Sequence, residues 1–366
     1  MWFKLIMNVK AFYSIEQHKG WFLFFGFFYQ MVSAHGQVND MLRDSALRQG
    51  PNYAMDRYHE TLRHNDPMMY LAYPVIKPIV ERTVPLQDGE GKNGYWAEGH
   101  FGNRFVIYQG KYYTHPFFQR MRLTFDVGIL ARLTQDYSNP LLPNNNKFGF
   151  GLDLLLSSIE NLYRSKGGLI WTTIQLHHYS NGQADSFFLN TQPKRNNYNT
   201  GDFSTNYWRA TVNVSTNSIN KNFIIGGLGY QHEIDLGGPF SSSKELKGYY
   251  GDGRFLFHLH WIRKPMLKTI NTVNQGINKR EIVKREVRRH FGIRTELEFL
   301  TGDLSAFEKS NKYRLGWHTY LNYMPSVTNE IGFMLHSFVG RDYLNIRFDD
   351  IVFVGEAGLY FKFNPQ

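Results

Sequence analysis

The sequence predicts an all-β fold: a transmembrane antiparallel β-barrel of about twelve strands, with a short N-terminal helical segment ahead of it. Three observations carry that expectation. Period-two alternation sets in near Gly102 and recurs to the end of the chain; the alternating positions divide into bulky apolar and charged side chains; and rings are abundant, with 30 Phe and 23 Tyr in 366 residues. A mean hydropathy of −0.42 excludes a bundle of apolar transmembrane helices, while so many rings suit a membrane interface better than a soluble core. The absence of cysteine removes disulfides, thiolate nucleophiles and sulfur metal sites together.

The first segment, 1–36, reads as a secretory signal. Lys4, Lys10 and Lys19 precede an apolar run from Trp21 to Val32, and the small residues Ser33, Ala34 and Gly36 follow. The alternative is a single anchor helix, for which the run is short. Residues 37–93 lack strand alternation. Val38, Met41 and Leu42, then Met55, Tyr58 and Leu62, recur at helical spacing, so this segment is expected to be partly helical, either a plug in the barrel mouth or a periplasmic element. The barrel is assigned to 94–366.

Within the barrel the odd positions of 121–133 are Met121, Leu123, Phe125, Val127, Ile129, Ala131 and Leu133, and the even ones include Arg122, Asp126 and Arg132. Phe255, Phe257, Leu259 and Trp261 alternate in the same way with Arg254, His258 and His260, as do Leu297 and Phe299 with Glu296 and Glu298. A soluble sandwich also alternates, but long strands with repeated Arg, Glu and His on one face fit a barrel with a polar lumen. Opposite charges such as Arg294 and Glu296 suggest a narrow, salt-bridged interior. Counting back from the last strand gives strands near 351–363, 330–341, 313–324, 286–303, 253–263, 222–235, 204–216, 168–181, 148–161, 118–134 and 103–110, with a first strand near 93–100. With both ends in the periplasm, the fifth strand then runs outward.

The last strand, Glu356-Ala357-Gly358-Leu359-Tyr360-Phe361-Lys362-Phe363, resembles the C-terminal assembly signal of outer-membrane barrels, polar-x-Gly-x-x-aromatic-x-aromatic. The resemblance implies a bacterial outer-membrane location.

The fifth strand carries the chemistry. Ile170, Thr172, Ile174 and Leu176 define its lipid face, and His178 and Ser180 continue that face at the outer end. On the next strand Asn206 shares a face with Trp208, Ala210, Val212 and Val214. Polar groups on a lipid face are costly and mark function, although at headgroup level they are cheap. Residues two apart on a strand point the same way about 6.5 Å apart. Ser180 can serve as nucleophile, His178 as its base, and Asn206, on the antiparallel neighbour, can fix the second ring nitrogen.

His178-x-Ser180-Asn181-Gly182-x-x-Asp185 resembles the active-site motif of outer-membrane phospholipase A, a family of twelve-stranded barrels with a His, Ser and Asn triad facing the outer leaflet. The resemblance implies calcium-dependent hydrolysis of phospholipid acyl esters. It makes His178 the base, Ser180 the nucleophile and, through Phe203-Ser204-Thr205-Asn206, Asn206 the orienting residue. The Gly182 amide would help hold the oxyanion, Asp185 would lie near the calcium, and Ser138 is a candidate ligand from the preceding outer loop. Gln183 stands where the family pattern has Arg, and the stretch from Asp185 to Asn206 is longer than the family's.

Other signals are weaker. His177, His258, His260 and His318 fall on the lumen face, where His258-x-His260 reads as hydrogen-bonding side chains rather than a metal pair. Lys279, Arg280, Lys284, Arg285, Arg288 and Arg289 fall between strands eight and nine, on the periplasmic side. That run is either a solvated loop or a contact for anionic headgroups or an acidic partner. The alternative to an enzyme is a non-catalytic barrel that serves as a subunit of a larger envelope complex through this loop and the N-terminal segment; a homodimer through the same loop is the other partner expected. No nucleic-acid partner is expected.

Overall fold

A computed structural model describes residues 58–59, 61–62, 66–81, 95–110, 115–134, 141–156, 168–191, 194–215, 222–263, 267–270, 284–304, 314–326 and 331–361. The expected signal at 1–36, and most of the segment at 37–93, lie outside them.

Twelve strands of the described residues form the barrel: β1 Met69–Glu81, β2 Tyr95–Gln109, β3 Met121–Thr134, β4 Asn145–Leu155, β5 Leu169–Ser180, β6 Ser204–Ser215, β7 Asn222–Ile234, β8 Gly253–Arg263, β9 Lys284–Thr301, β10 Leu315–Ser326, β11 Ile331–Arg341 and β12 Ile351–Phe361. Each pairs antiparallel with the next, and β1 pairs with β12, so the sheet closes and leaves no unpaired edge. Alternation sets the faces: along β3 every even residue from Arg122 to Arg132 is buried, whereas Met121, Phe125 and Ile129 lie toward the outside. Phe105, Phe150, Ile174, Trp317, Phe333 and Leu335 are exposed on the outer wall. A closed antiparallel barrel wearing an apolar belt is a bacterial outer-membrane protein.

The count of twelve agrees with the sequence, but its first two members do not. The stretches expected as separate strands near 93–100 and 103–110 are one strand, β2, whose register slips between Tyr95 and Ala97 and between Val106 and Tyr108. The first strand lies instead at Met69–Glu81, inside the segment expected to lack strands. Pro74 and Pro78 explain the miss. Proline cannot donate to a ladder, and the register on β12 shifts between Pro74 and Ile76 and again between Ile76 and Ile79, which erases period two.

The basic run differs too. Lys284, Arg285, Arg288 and Arg289 belong to β9, whose first residues pair beyond the barrel with a short strand, Leu267–Ile270; Lys279 and Arg280 lie outside the described residues.

The lumen is filled by ion pairs, as Arg294 and Glu296 foretold. Arg104 pairs with Asp126, Arg122 with Asp153, Arg132 with Glu98 and Asp342, and Arg294 with Glu296. Tyr58 and Leu62 are buried against Leu155, Leu169, Trp171, Ile225 and Ile262, at the end of the barrel opposite His178. Asp66 accepts from both Arg104 and Arg122. At the other end Leu142, Phe187, Phe203, Leu246, Tyr250, Leu344 and Phe348, from four connecting loops, form an apolar cap. The longest connection, 181–203 between β5 and β6, is at this end, as expected of the external one.

Candidate active site

The site is built where β4, β5 and β6 reach the external rim. In the ladder His178 stands opposite Phe148 of β4 and Asn206 of β6, and Ser180 opposite Asn146 and Ser204. The alternation of β5 sends His178 and Ser180 to the outer wall above Ile174 and Leu176. His178 and Asn206 meet: Nδ1 of the ring lies 2.9 Å from Oδ1 of the amide. The imidazole is walled by Phe148, at 4.9 Å between ring centroids, and by Phe240, at 5.3 Å.

Asn206 points to the lipid side yet is fully buried, because the loop between β7 and β8 folds over it. Its Nδ2 donates to the Phe240 carbonyl and approaches Ser242 Oγ at 3.5 Å. A carbonyl can only accept, so Nδ2 must face Phe240 and Oδ1 must face the ring. The ring nitrogen opposite Oδ1 then carries the proton, and Nε2 is free to accept one. This is the tautomer a general base requires.

Just beyond Ser180 the chain turns under the control of Asn181, a buried residue. Its Oδ1 accepts from the amides of Gln183 and Phe203, and its Nδ2 donates to the Gly201 carbonyl, so one side chain ties both ends of the β5–β6 loop. Gly182 sits inside this turn at φ 68°, in the left-handed region where a side chain is strained. Asp185 is further along the loop, exposed, with its backbone bonded to Thr200 and Asp202. Ser138 lies outside the described residues. The structure thus brings His178 together with Asn206, keeps Ser180 and Gly182 adjacent on the same rim, and sets Asp185 apart on the loop.

Sequence reasoning missed the β7–β8 loop. The available signal was Asp235-Leu236-Gly237-Gly238-Pro239, a dense turn cluster placed to fold back on the rim. Among the described residues no three His, Cys, Asp or Glu side chains converge as a metal centre. A calcium ion here would draw on the Asp185 carboxylate together with loop carbonyls, hydroxyls and water; oxygen donors of that kind suit calcium.

The fold and the rim define a class: an outer-membrane barrel with a half-buried His hydrogen-bonded to a buried Asn on the same outer rim as a membrane-facing serine. No family model matches the chain, and no curated protein matches it. Among solved structures it is similar to the outer membrane phospholipase of Salmonella typhi, a dimer with bound calcium, at TM-score 0.49 and 11% identity, over 81% of this chain and 90% of that one. It is also similar to outer membrane phospholipase A from Escherichia coli, at TM-score 0.48 and 10% identity, over 81% and 96%. A NanC porin follows at TM-score 0.39 and 10% identity, over 81% and 100%.

Proposed function

We propose that the protein hydrolyses acyl esters of phospholipids in the outer leaflet, with Ser180 as nucleophile, His178 as general base and Asn206 as the residue that orients it. The observation that carries this reading is the His178 to Asn206 hydrogen bond, held by a carbonyl that dictates the direction of the amide. A polar pair with no catalytic task would not need to be held in one orientation on the same lipid-facing side of β5 as a serine.

In this reading the acyl chains lie along the apolar wall formed by Phe148, Phe150, Leu176 and Trp208, and the ester rests at the height of Ser180. Ser180 Oγ attacks the acyl carbonyl as its proton passes to His178 Nε2. The imidazolium returns that proton to the departing alcohol, and water activated by the same ring then releases the fatty acid. The Gly182 amide donates to the oxyanion. A neutral Asn orients the ring without balancing its positive charge, which leaves more of the barrier to groups at the oxyanion. Calcium held with the help of Asp185 would supply positive charge there.

The test is release of fatty acid from mixed micelles by the purified protein, with calcium and with excess chelator. Hydrolysis that needs calcium supports the whole reading. Full activity in chelator removes the metal and leaves Ser180 in place, and no release in either condition removes the enzyme.

A further inference from the structure

The segment 235–243, between β7 and β8, is anchored more firmly than a connecting loop requires. Asp235 Oδ1 accepts from the amides of Gly237, at 3.0 Å, and Ser242, at 3.1 Å. Ser242 Oγ donates to the Ile234 carbonyl. Ser243 exchanges bonds with β6: its amide donates to the Ser204 carbonyl, and its Oγ accepts from the Ser204 amide and donates to Asp202. Ser204 Oγ reaches back to the Ser241 carbonyl. Gly237 and Gly238 take successive left-handed conformations, at φ 70° and 59°, which turn the chain back across the strand. What this stitching delivers is one carbonyl, that of Phe240, over the Asn206 amide.

The direction of that amide decides whether His178 can be a base. With the amide reversed, Oδ1 would face the Phe240 carbonyl, acceptor against acceptor. Nδ2 would face the imidazole, whose near nitrogen would have to accept. The proton would then sit on Nε2, where it blocks the uptake of a proton from serine. In a free asparagine the two directions are isosteric, so the loop, and not the shape of Asn206, makes the choice.

We propose that segment 235–243 is a positioning element of the site, in which Asp235, acting through the loop that it closes, aims the Phe240 carbonyl at Asn206 and so holds His178 in the tautomer with Nε2 free. Asp235 touches no substrate; it works through Ser242 and Phe240. The catalytic consequence rests on the phospholipase reading, whereas the tautomer does not. The carboxylate is held below its ordinary range, first by the Gly237 amide and then by that of Ser242, which is consistent with an anchor that stays ionised.

The experiment is imidazole nitrogen and carbon NMR on histidine-labelled protein in detergent, the His178 signal being assigned by its loss in His178→Gln. Asp235→Ala and Asp235→Asn are compared with wild type, and heat-modifiable gel mobility reports folding. Wild type should show the Nδ1-protonated form; Asp235→Ala should show a mixture with the Nε2-protonated form, and its kcat should fall about ten-fold with KM within about two-fold. Asp235→Asn, which keeps an acceptor oxygen for both amides, should restore most of each. A folded Asp235→Ala with the wild-type tautomer overturns the proposal. A wild type that hydrolyses nothing overturns the phospholipase reading instead, while the resonances still decide the role of the loop.

Discussion

His178 Nδ1 and Asn206 Oδ1 lie 2.9 Å apart between residues that face each other directly across β5 and β6. The remaining amide nitrogen is committed to the Phe240 carbonyl, and this makes Asn206→Asp the informative exchange. In triads with an acid, N–H donors serve the second carboxylate oxygen; here that oxygen would meet a carbonyl. Asn206→Asp is therefore expected to lower kcat and to loosen the β7–β8 loop, although the carboxylate would better balance an imidazolium. Asn206→Ala should keep partial activity, because it removes the orienting bond and the bond to the Phe240 carbonyl but leaves nucleophile and base in place. Fatty-acid release and proteolysis of the loop measure the two effects; an Asp variant faster than wild type would contradict the geometry.

The turn after Ser180 makes a second prediction. Asn181 is buried and its side chain holds Gln183, Gly201 and Phe203, so Asn181→Ala leaves several backbone groups without partners, at roughly 1–3 kcal/mol for each that stays dry. Gly182→Ala meets open space, its nearest contact being Asn146 Nδ2 at 3.7 Å, and should cost about 1–2 kcal/mol from its backbone angle alone. Melting in detergent should rank Asn181→Ala below Gly182→Ala, while both lower turnover by displacing the Gly182 amide.

Inside the barrel, Arg132 lies between Glu98 and Asp342, all three almost fully buried. Arg132→Met should destabilise by about 3–5 kcal/mol, since two carboxylates lose their counter-charge at once. Adding Glu98→Gln and Asp342→Asn to that variant should recover part of the loss, a non-additivity that unfolding midpoints in detergent can read.

Alternation made most of the barrel legible, because a lumen of charge and a wall of oil write period two into every strand that lacks an interruption. β1 escaped through Pro74 and Pro78, and β2 looked like two strands because its bulges and the glycines at 99 and 102 break the pattern. At the site, His178, Ser180 and Asn206 stood out as polar residues on an apolar face. The carbonyl of Phe240 could not stand out, since a backbone group has no signature in sequence and its position depends on how 235–243 folds over β6.

The loop should also respond to acid in a definite direction. Bonds from Gly237 and then Ser242, with a further contribution from Lys244, depress the Asp235 carboxylate, so what it contributes to loop stability is present above its unfolded value and lost as pH falls through the lower folded one. The amide proton shifts of Gly237 and Ser242 should titrate together, with a midpoint below the ordinary aspartate value of about 3.9. A midpoint at or above that value would mean the carboxylate is not bonded as described.

Ser180 separates an enzyme from a scaffold by the sign of one substitution. It sits half-buried on the outer side of β5, past the apolar residues Ile174 and Leu176. If the hydroxyl only decorates the rim, Ser180→Ala exchanges it for a methyl group beside lipid and should leave melting unchanged or slightly raised. Catalysis demands the same neutrality in folding but a near-complete loss of ester hydrolysis. His178→Ala should match that loss, and the double variant should be no worse than either, because nucleophile and base act as one unit. Stability gives no confounding signal at Ser180, so the rate alone decides. Release of fatty acid from mixed micelles by wild type and the three variants, each checked for heat-modifiable mobility, is the measurement; a folded Ser180→Ala that keeps its rate returns the protein to the scaffold class.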